Sequence, residues 1–390
     1  MRILLFTNSL AGGGAERAAA TLANFWAQRQ WHVTVLTLSS IEEDFYSLAP
    51  RVQRMSLGLA SESGHVLNAL AQNILRMLAL RRVLLQLRPA IAISLMSTPN
   101  VLLALAARGI PNLSTVGSER DYPPHAPLGS VWTMLRKKMY GRLHAMVVLT
   151  RECADWISVH SSATRIAVIP NAVTWPLPDK TPRLDPAAFS RNGRKTLLAV
   201  GRLSAVKNFS TLIRVFSQLA EQHADWDLFI LGEGPERPLL ESIIRSNFLI
   251  DRVFLPGIAG NVGDWYAHAD LYVMTSHSEG FPNTLAEALC HGLPAISFDC
   301  DTGPRDIIRH DIDGLLVAAN DSTALALALE RLMGDANLRK SMAVAARAAR
   351  ERFSVHKIAA MWDQLFAELM QGRSLSDGVT SDCAVSGHRP

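Results

Sequence analysis

The sequence predicts an α/β protein: two Rossmann-like, doubly wound parallel-sheet domains facing each other across a cleft. Three observations carry that prediction. Short apolar runs alternate with longer amphipathic stretches along almost the whole chain. Several of the short runs are continuously apolar rather than alternating, which is how strands read when helices cover both faces of a parallel sheet. The series breaks once, where Pro170, Pro176, Pro178, Pro182 and Pro186 follow one another with no sustained periodicity.

Composition sets the outer limits. The chain has 390 residues, 48% apolar and 19% charged, enough to bury sizeable cores and too apolar for disorder throughout. Cys153, Cys290, Cys300 and Cys383 lie far apart with no C-x-x-C pair, which excludes a disulfide scaffold or zinc finger and suits a reducing compartment. Met1 to Asn8 is too short an apolar run for a secretory leader and reads as a first strand. The most apolar long stretch, Val66 to Leu87, is interrupted by Arg76, Arg81 and Arg82, so no membrane span is expected. Net charge is +4, but residues 1–178 carry a balance of +8 and the remainder −4. A basic front half points to a domain that meets anions, although solvated charge falling unevenly explains the asymmetry equally well.

In order, the predicted strands are Arg2–Asn8, His32–Leu38, Ala90–Leu95, Asn112–Val116, Ala145–Thr150 and Arg165–Ile169. After the break come Thr196–Gly201, Asp227–Gly232, Arg252–Pro256, Asp270–Thr275, Pro294–Asp299 and Gly314–Val317. Segments such as Ala15–Gln30 and Asn208–His223 have helical length and spacing. This gives an N-terminal domain over 1–175, a Pro-rich linker over 176–194 and a second domain over 195–355. A closing helix over 356–371 is expected to pack back on the first domain, and the polar Gly/Ser-rich tail 372–390 to be disordered. Ligands bind at the carboxyl ends of parallel strands, so the cleft is the expected active site.

Candidate binding residues cluster at such strand ends. After the first strand, Gly12-Gly13-Gly14-Ala15-Glu16-Arg17 opens a helix, and glycines there let backbone N–H groups approach a phosphate. The sixth position is Arg17, so this is not the dinucleotide fingerprint, and a permissive tight turn would explain the loop on its own. No Walker A sequence is present. The second domain opens with Gly201-Arg202-Leu203-Ser204-Ala205-Val206-Lys207-Asn208. Arg202 and Lys207, five apart at a strand's carboxyl end, are candidates to converge on a diphosphate, Arg in fork geometry and Lys as a point charge.

The most specific segment is Ser278-Glu279-Gly280-Phe281-Pro282-Asn283-Thr284-Leu285-Ala286-Glu287. Pro282 suits a helix first turn. That places Glu279 in the turn, Glu287 about one helical turn inside, and open N–H groups around Thr284. Two carboxylates flanking such donors suit a ligand with sugar hydroxyls on either side of a phosphate; complementing the helix dipole explains one of them.

Glu279 with Glu287 forms an E-x7-E pattern, and Gly201-Arg202-Leu203 with Lys207-Asn208 forms G-R-L-x-x-x-K-N. With the Gly12–Gly14 loop, Ile169-Pro170-Asn171-Ala172-Val173 and Phe298-Asp299-Cys300-Asp301-Thr302-Gly303-Pro304, they stand in an order that resembles the retaining nucleotide-sugar glycosyltransferases of family 4, which have the GT-B fold. The resemblance implies that Arg202 and Lys207 neutralise the diphosphate of a UDP-sugar, that Glu279 binds donor-sugar hydroxyls and that Glu287 binds the ribose. It also implies that Phe281, Pro282, Asn283, Thr284 and Leu285 line the donor site, with Gly13 and Gly14 closing over the phosphate. No cofactor or metal is implied, and Asp299-Cys300-Asp301 reads as loop residues rather than a D-x-D metal motif. Many relatives place a His after the strand Asn112–Val116, whereas this chain has Gly117-Ser118-Glu119-Arg120-Asp121-Tyr122-Pro123. That S-E-R-x-x-P form resembles a subgroup extending polyprenyl-diphosphate-linked glycans, often with N-acetylgalactosamine. Ser118, Glu119 and Arg120 are therefore acceptor-side candidates, Glu119 also a catalytic one, with a local salt bridge shaping a loop as the alternative.

Two basic, apolar-rich stretches remain, Asn68–Arg88 and Val131–Arg142. The first reads as a core helix with solvated arginines. The second, with Trp132 beside Arg136, Lys137 and Lys138, suits contact with an anionic membrane surface. The expected location is cytoplasmic, peripheral on the inner face of the cytoplasmic membrane. Nucleic acid is not an expected partner, because aromatics are few and no module is recognised. The expected reaction moves a hexose or N-acetylhexosamine from a UDP-sugar to a lipid-linked saccharide. A UDP-sugar epimerase or phosphorylase on the same fold, or a non-catalytic nucleotide-sugar-binding subunit, are the alternatives.

Overall fold

The computed structural model describes residues 1–60, 66–191 and 193–381. They divide into two compact units, Met1–Pro170 together with the segment from Val355, and Asn171–Ser354.

The first unit holds seven strands: β1 (Arg2–Thr7), β2 (His32–Thr37), β3 (Gln53–Ser56), β4 (Ile91–Leu95), β5 (Ser114–Ser118), β6 (Ala145–Val148) and β7 (Ile166–Val168). Their spatial order is β3-β2-β1-β4-β5-β6-β7 and every pairing is parallel. The second unit holds β8 (Lys195–Val200), β9 (Trp226–Leu231), β10 (Val253–Gly257), β11 (Leu271–Met274), β12 (Ala295–Asp299) and β13 (Gly314–Ala318), ordered β10-β9-β8-β11-β12-β13, again all parallel. Buried apolar strands explain the continuous runs in the sequence. Residues 3–7 of β1, all of β4 and all of β9 are inaccessible to solvent. Each order reverses direction beside the first strand of its unit, between β1 and β4 and between β8 and β11. Loops on either side of such a switch point leave an opening for ligands.

Several details differ from the sequence reading. β3 was not predicted, because Gln53-Arg54-Met55-Ser56 is a polar edge strand without an apolar run. β5 starts two residues late: Pro111 lacks an N–H to donate and Asn112 sits at φ 58°, so pairing begins only after the chain has turned. Residues 176–194, read as an interdomain linker, are bound into the second unit. Gly260 N–H donates to the Pro182 carbonyl at 2.6 Å, and Trp265 Nε1 donates to the Leu184 carbonyl at 3.0 Å. A Cβ on Gly260 would stand 2.1 Å from the Lys180 carbonyl oxygen, so only glycine permits this approach. The last helix is also longer than expected. It spans Val355–Ser381, with no proline to stop it, where the sequence reading ended it at Gln371 and assigned disorder from 372. Residues 382–390 of that tail, with Cys383, lie outside the described residues.

That helix belongs to the first unit through aromatic packing. Trp362 and Phe366 stand 6.3 and 5.5 Å from the Trp26 ring, and Trp26 Nε1 donates to Asp363 at 3.3 Å. Among the described residues no helix is long and apolar enough to cross a membrane.

The helix Val66–Leu87 does bury a core face, Leu80, Val83 and Leu84, but not all of its arginines are solvated. Arg76 donates to the Leu59 carbonyl and Arg81 to the Ala106 and Arg108 carbonyls, while Arg82 is exposed. The exposed side chains of this helix include Leu70, Ile74, Leu75, Leu78 and Leu85.

Candidate active site

In the second unit, the loops after β8 and β11 flank the switch point and carry the predicted donor residues. The Gly201–Leu203 segment is held by backbone bonds to the neighbouring loop: Gly201 N–H donates to Leu231 O at 2.9 Å, Leu203 N–H to Glu233 O at 2.9 Å, and Glu236 N–H to Leu203 O at 3.0 Å. Gly232, at φ 140°, makes this possible, because a Cβ there would lie 1.9 Å from the Gly201 oxygen. Gly234 is equally constrained, with a Cβ position 2.3 Å from Leu203 O. Neither glycine was singled out from the sequence. The signal was the Leu-Gly-Glu-Gly run after β9, legible only once β8 and β9 are known to be neighbours.

Arg202 projects from this pinned loop, exposed, with no side-chain partner among the described residues. Lys207 closes the same loop and forms an ion pair with Glu279, Nζ to Oε1 2.6 Å, its side chain 24% exposed and that of Glu279 11%. Asn208 follows in the left-handed region at φ 53°, and the Thr275 hydroxyl at the end of β11 donates to the Lys207 carbonyl at 3.0 Å. The loops after β8 and β11 are thus tied to each other directly. The Thr302 hydroxyl donates to the Glu279 carbonyl, which fixes the turn from behind.

The helix Asn283–Cys290 starts where predicted. The open donors expected around Thr284 narrow to two. Leu285 and Ala286 N–H groups already donate to the Pro282 carbonyl, whereas those of Asn283 and Thr284 donate to no group among the described residues. The Leu285 side chain is fully buried and Phe281 packs edge-on against Phe353 at 5.7 Å, so both side chains belong to the core. Thr284 accepts from the Tyr272 hydroxyl at 2.9 Å. Burial holds that phenol well above its ordinary pKa, so Tyr272 remains a donor at any neutral pH. Glu287 is buried, with Tyr266 donating to Oε2 at 3.2 Å. Asn171, from the Ile-Pro-Asn segment, donates to Asn283 Oδ1 at 3.1 Å. Asp299 accepts from Arg305 at 2.9 Å. Tyr266, Tyr272 and Asn171 were not among the predicted site residues, because only the fold brings them to this helix.

The first unit treats its candidates differently. Gly13 caps the helix Gly14–Gln28 in extended backbone, and a Cβ on it would meet Glu16 Oε2 at 2.2 Å, so Glu16 bends back over the helix start. Ser118 ends β5 and Glu119 and Arg120 follow it, but all three are buried. Ser118 is a strand residue whose N–H and carbonyl are both bonded by Asn100. Arg120 stacks its guanidinium over Trp362 at 5.9 Å, and burial lowers its pKa to about 10. Glu119 is 2% exposed and accepts from Ser97 Oγ at 2.8 Å and from the Tyr140 hydroxyl. Burial pushes its carboxyl up to about 7, against the pull of Tyr140, Ser97 and Arg136. The alternative of a local Glu119 salt bridge is therefore replaced by hydroxyl donors. Met96, one residue before Ser97, sits at φ 80°, ψ 156°, a conformation that costs a non-glycine residue about 1–3 kcal/mol. Its N–H donates to Ser118 O at 2.9 Å, which holds the strained turn and brings Ser97 to Glu119.

Comparison with known proteins gives this geometry a family. The family described as Glycosyltransferase Family 4 matches residues 12–174, and Glycosyl transferases group 1 matches 181–349, so each unit carries its own half of the pattern. The chain belongs to the family 4 glycosyltransferases. Its fold is GT-B, and it is a glycosyltransferase. An N-acetylgalactosaminyltransferase of Campylobacter jejuni named for a diNAcBac-PP-undecaprenol-linked substrate is 27% identical over 95% of this chain and 99% of its own. An exopolysaccharide phosphotransferase of Streptomyces coelicolor is 36% identical over 59% of this chain, which spans about a quarter of that relative's length, 24%. The Anabaena HepE structure in complex with UDP superposes with a TM-score of 0.75 at 19% identity, covering 95% of this chain and all of that one. In this glycosyltransferase Arg202, Lys207 and Glu279 stand on the loops at the switch point of the second sheet, and Thr284 at the start of the helix that follows.

Proposed function

We propose that this glycosyltransferase moves a hexose or N-acetylhexosamine, N-acetylgalactosamine being the leading candidate, from a UDP-sugar to a polyprenyl-diphosphate-linked or other lipid-linked saccharide. The reaction retains anomeric configuration and uses no metal, and it serves surface-polysaccharide or glycan-precursor assembly. The observation that carries the reading is the pinned pair of loops in the second unit: Arg202, with no side-chain partner among the described residues, and Lys207 on Glu279 at 2.6 Å, beside the N–H groups of Asn283 and Thr284 that donate to no group among those residues.

Charge explains the arrangement. As the bond from the anomeric carbon to the β-phosphate oxygen breaks, the electron pair stays on that oxygen and positive charge grows on the sugar ring. Arg202, Lys207 and the two helix N–H groups stabilise the departing diphosphate; preorganised donors of this kind are worth about 2.7–4 kcal/mol each. Lys207 is kept in place by Glu279 until the diphosphate arrives. Glu279 in turn is positioned to accept from a sugar hydroxyl. The acceptor hydroxyl attacks the anomeric carbon on the face the diphosphate leaves, and its proton passes to the departing phosphate oxygen. No covalent carboxylate nucleophile is needed in this route. Glu287, held by Tyr266, is assigned to the ribose. In the first unit Glu119 is a positioning residue, shaping the strand end through Ser97 and Tyr140 rather than touching acceptor. The acceptor's lipid brings the enzyme to the cytoplasmic membrane face, with the exposed Lys137 and Lys138 meeting anionic headgroups.

Relatives support the acceptor class, through the undecaprenol-linked substrate in the Campylobacter name, and UDP through the HepE complex. The test is release of UDP from UDP-sugars with and without short polyprenyl-diphosphate saccharides, read by mass spectrometry. Transfer to such an acceptor is the expected result. UDP release or sugar isomerisation that ignores every acceptor would overturn it.

A further inference from the structure

A cavity of about 520 Å³ lies at the amino-terminal ends of β5 and β6, the end of the first sheet opposite Glu119. Asn112 and Leu113, which line it, precede β5, and His144 precedes β6, whereas Glu119 follows β5. The five residues of β5 therefore separate the two ends by about 15 Å at the usual rise of a strand. Arg108, Arg142 and His144 line the cavity, and no acidic side chain does. Arg108 and Arg142 are exposed and have no side-chain partner among the described residues. His144 Nδ1 accepts the Thr115 backbone N–H at 3.1 Å, so in the neutral ring the proton resides on Nε2 and His144 is a donor there.

The surroundings are fixed rather than loose. Arg81 donates to the Ala106 and Arg108 carbonyls at 2.8 and 2.7 Å, which compensates the negative end of the helix Ser97–Ala106 beside the cavity. Gly109 at φ 70° and Asn112 at φ 58° fold the intervening loop. Gly141, next to Arg142, lies so close to Ser162 that a Cβ would stand 2.5 Å from its carbonyl oxygen. Cations gathered at a concave, preorganised surface without a counter-charge repel one another, and a bound anion removes that cost.

We propose that this cavity is a second ligand site, for a phosphate monoester or diester, with Arg108 and Arg142 as fork donors to its oxygens and His144 as a third donor. Two sources share that chemistry, the headgroup of an acidic lipid and a soluble phosphate ester. The site is independent of the donor reading and survives its failure.

The test uses the full chain, glycerol 3-phosphate in calorimetry, and flotation with phosphatidylglycerol–phosphatidylcholine vesicles against phosphatidylcholine alone. The variant carries Arg108→Ala with Arg142→Ala. A charge-matched control carries Arg214→Ala with Arg245→Ala, both exposed in the second unit. Circular dichroism confirms that each is folded. The expected result is at least a tenfold loss of binding in the first double variant and none in the control. Binding of glycerol 3-phosphate identifies a soluble ester; binding only to the acidic vesicles identifies a lipid headgroup. No binding of either probe by the wild type, equal binding by the first double variant, or equal loss in the control overturns the proposal.

Discussion

Each unit places a glutamate after a strand, Glu279 after β11 at the switch point and Glu119 after β5, one strand beyond it, and the two are treated in opposite ways. Glu279 lies at a partly open loop with a cation on it, Lys207 at 2.6 Å. Glu119 is sealed at 2% exposure, with Ser97 and Tyr140 as its hydroxyl donors and no ion-pair partner among its direct bonds. A carboxylate with a nearby cation and some water keeps its charge; one moved into a dry site with hydroxyl donors does so only against desolvation, hence the rise to about 7. The same residue type thus carries a cation at a partly open loop in one place and is sealed among hydroxyl donors in the other. Burial, not strand position, makes the distinction.

The largest effect expected from breaking this contrast is on the exposed side. Arg202→Ala and Lys207→Ala should each lower kcat about 10²–10³-fold with an unchanged melting temperature. Near-normal steady-state rates in either variant would remove that residue from the diphosphate site.

On the sealed side the effect should appear in stability. Neutral Glu119 is favoured in the folded chain, so its contribution is full below pH 4.5 and is lost as pH rises to and through 7. A rise from 4.5 to about 7 corresponds to about 3 kcal/mol. Glu119→Gln should flatten the fall in unfolding free energy between those two pH values, measured by urea titration at each pH. A variant whose pH profile matches the wild type would show that Glu119 is not buried as described. By contrast, Glu279→Gln should act on kcat.

Smaller effects sharpen the picture. Tyr272→Phe removes the bond to Thr284, a loss of about 1 kcal/mol, and should raise KM for the donor about fivefold while kcat moves less. Unchanged kinetics would make that bond structural only. Met96→Gly relieves φ 80° and should raise stability by up to about 1 kcal/mol, in a chemical-denaturation curve, while loosening Ser97 against Glu119. A destabilised variant would mean that Met96 is not strained.

Legibility from sequence follows the same divide. Motifs carried by consecutive residues, Gly201 to Asn208 and Ser278 to Glu287, sit where their strand-end spacing predicted, and the helix start at Asn283 was readable from Pro282. Gly232 and Gly234 escaped notice because the demand for glycine comes from Gly201 and Leu203, some thirty residues earlier on the neighbouring strand. Residues 176–194 have a linker's composition, yet carbonyl contacts with Gly260 and Trp265 bind them to the second unit, and composition does not encode backbone pairing. Ser118, Glu119 and Arg120 were placed at the correct strand end, but their exposure depended on Tyr140 and Trp362, which arrive from distant segments.

What the amino-acid order determined alone was the alternation of strand and helix, the break into two sheets and the charged loops at strand ends, because those depend on periodicity and on neighbours a few residues apart. Which carboxylate is wet and which is dry, which face of the helix Val66–Leu87 shows its leucines, and where arginines gather without acids were decided by tertiary packing. Desolvation and charge pairing depend on every atom within a few ångströms, and those atoms come from all over the chain.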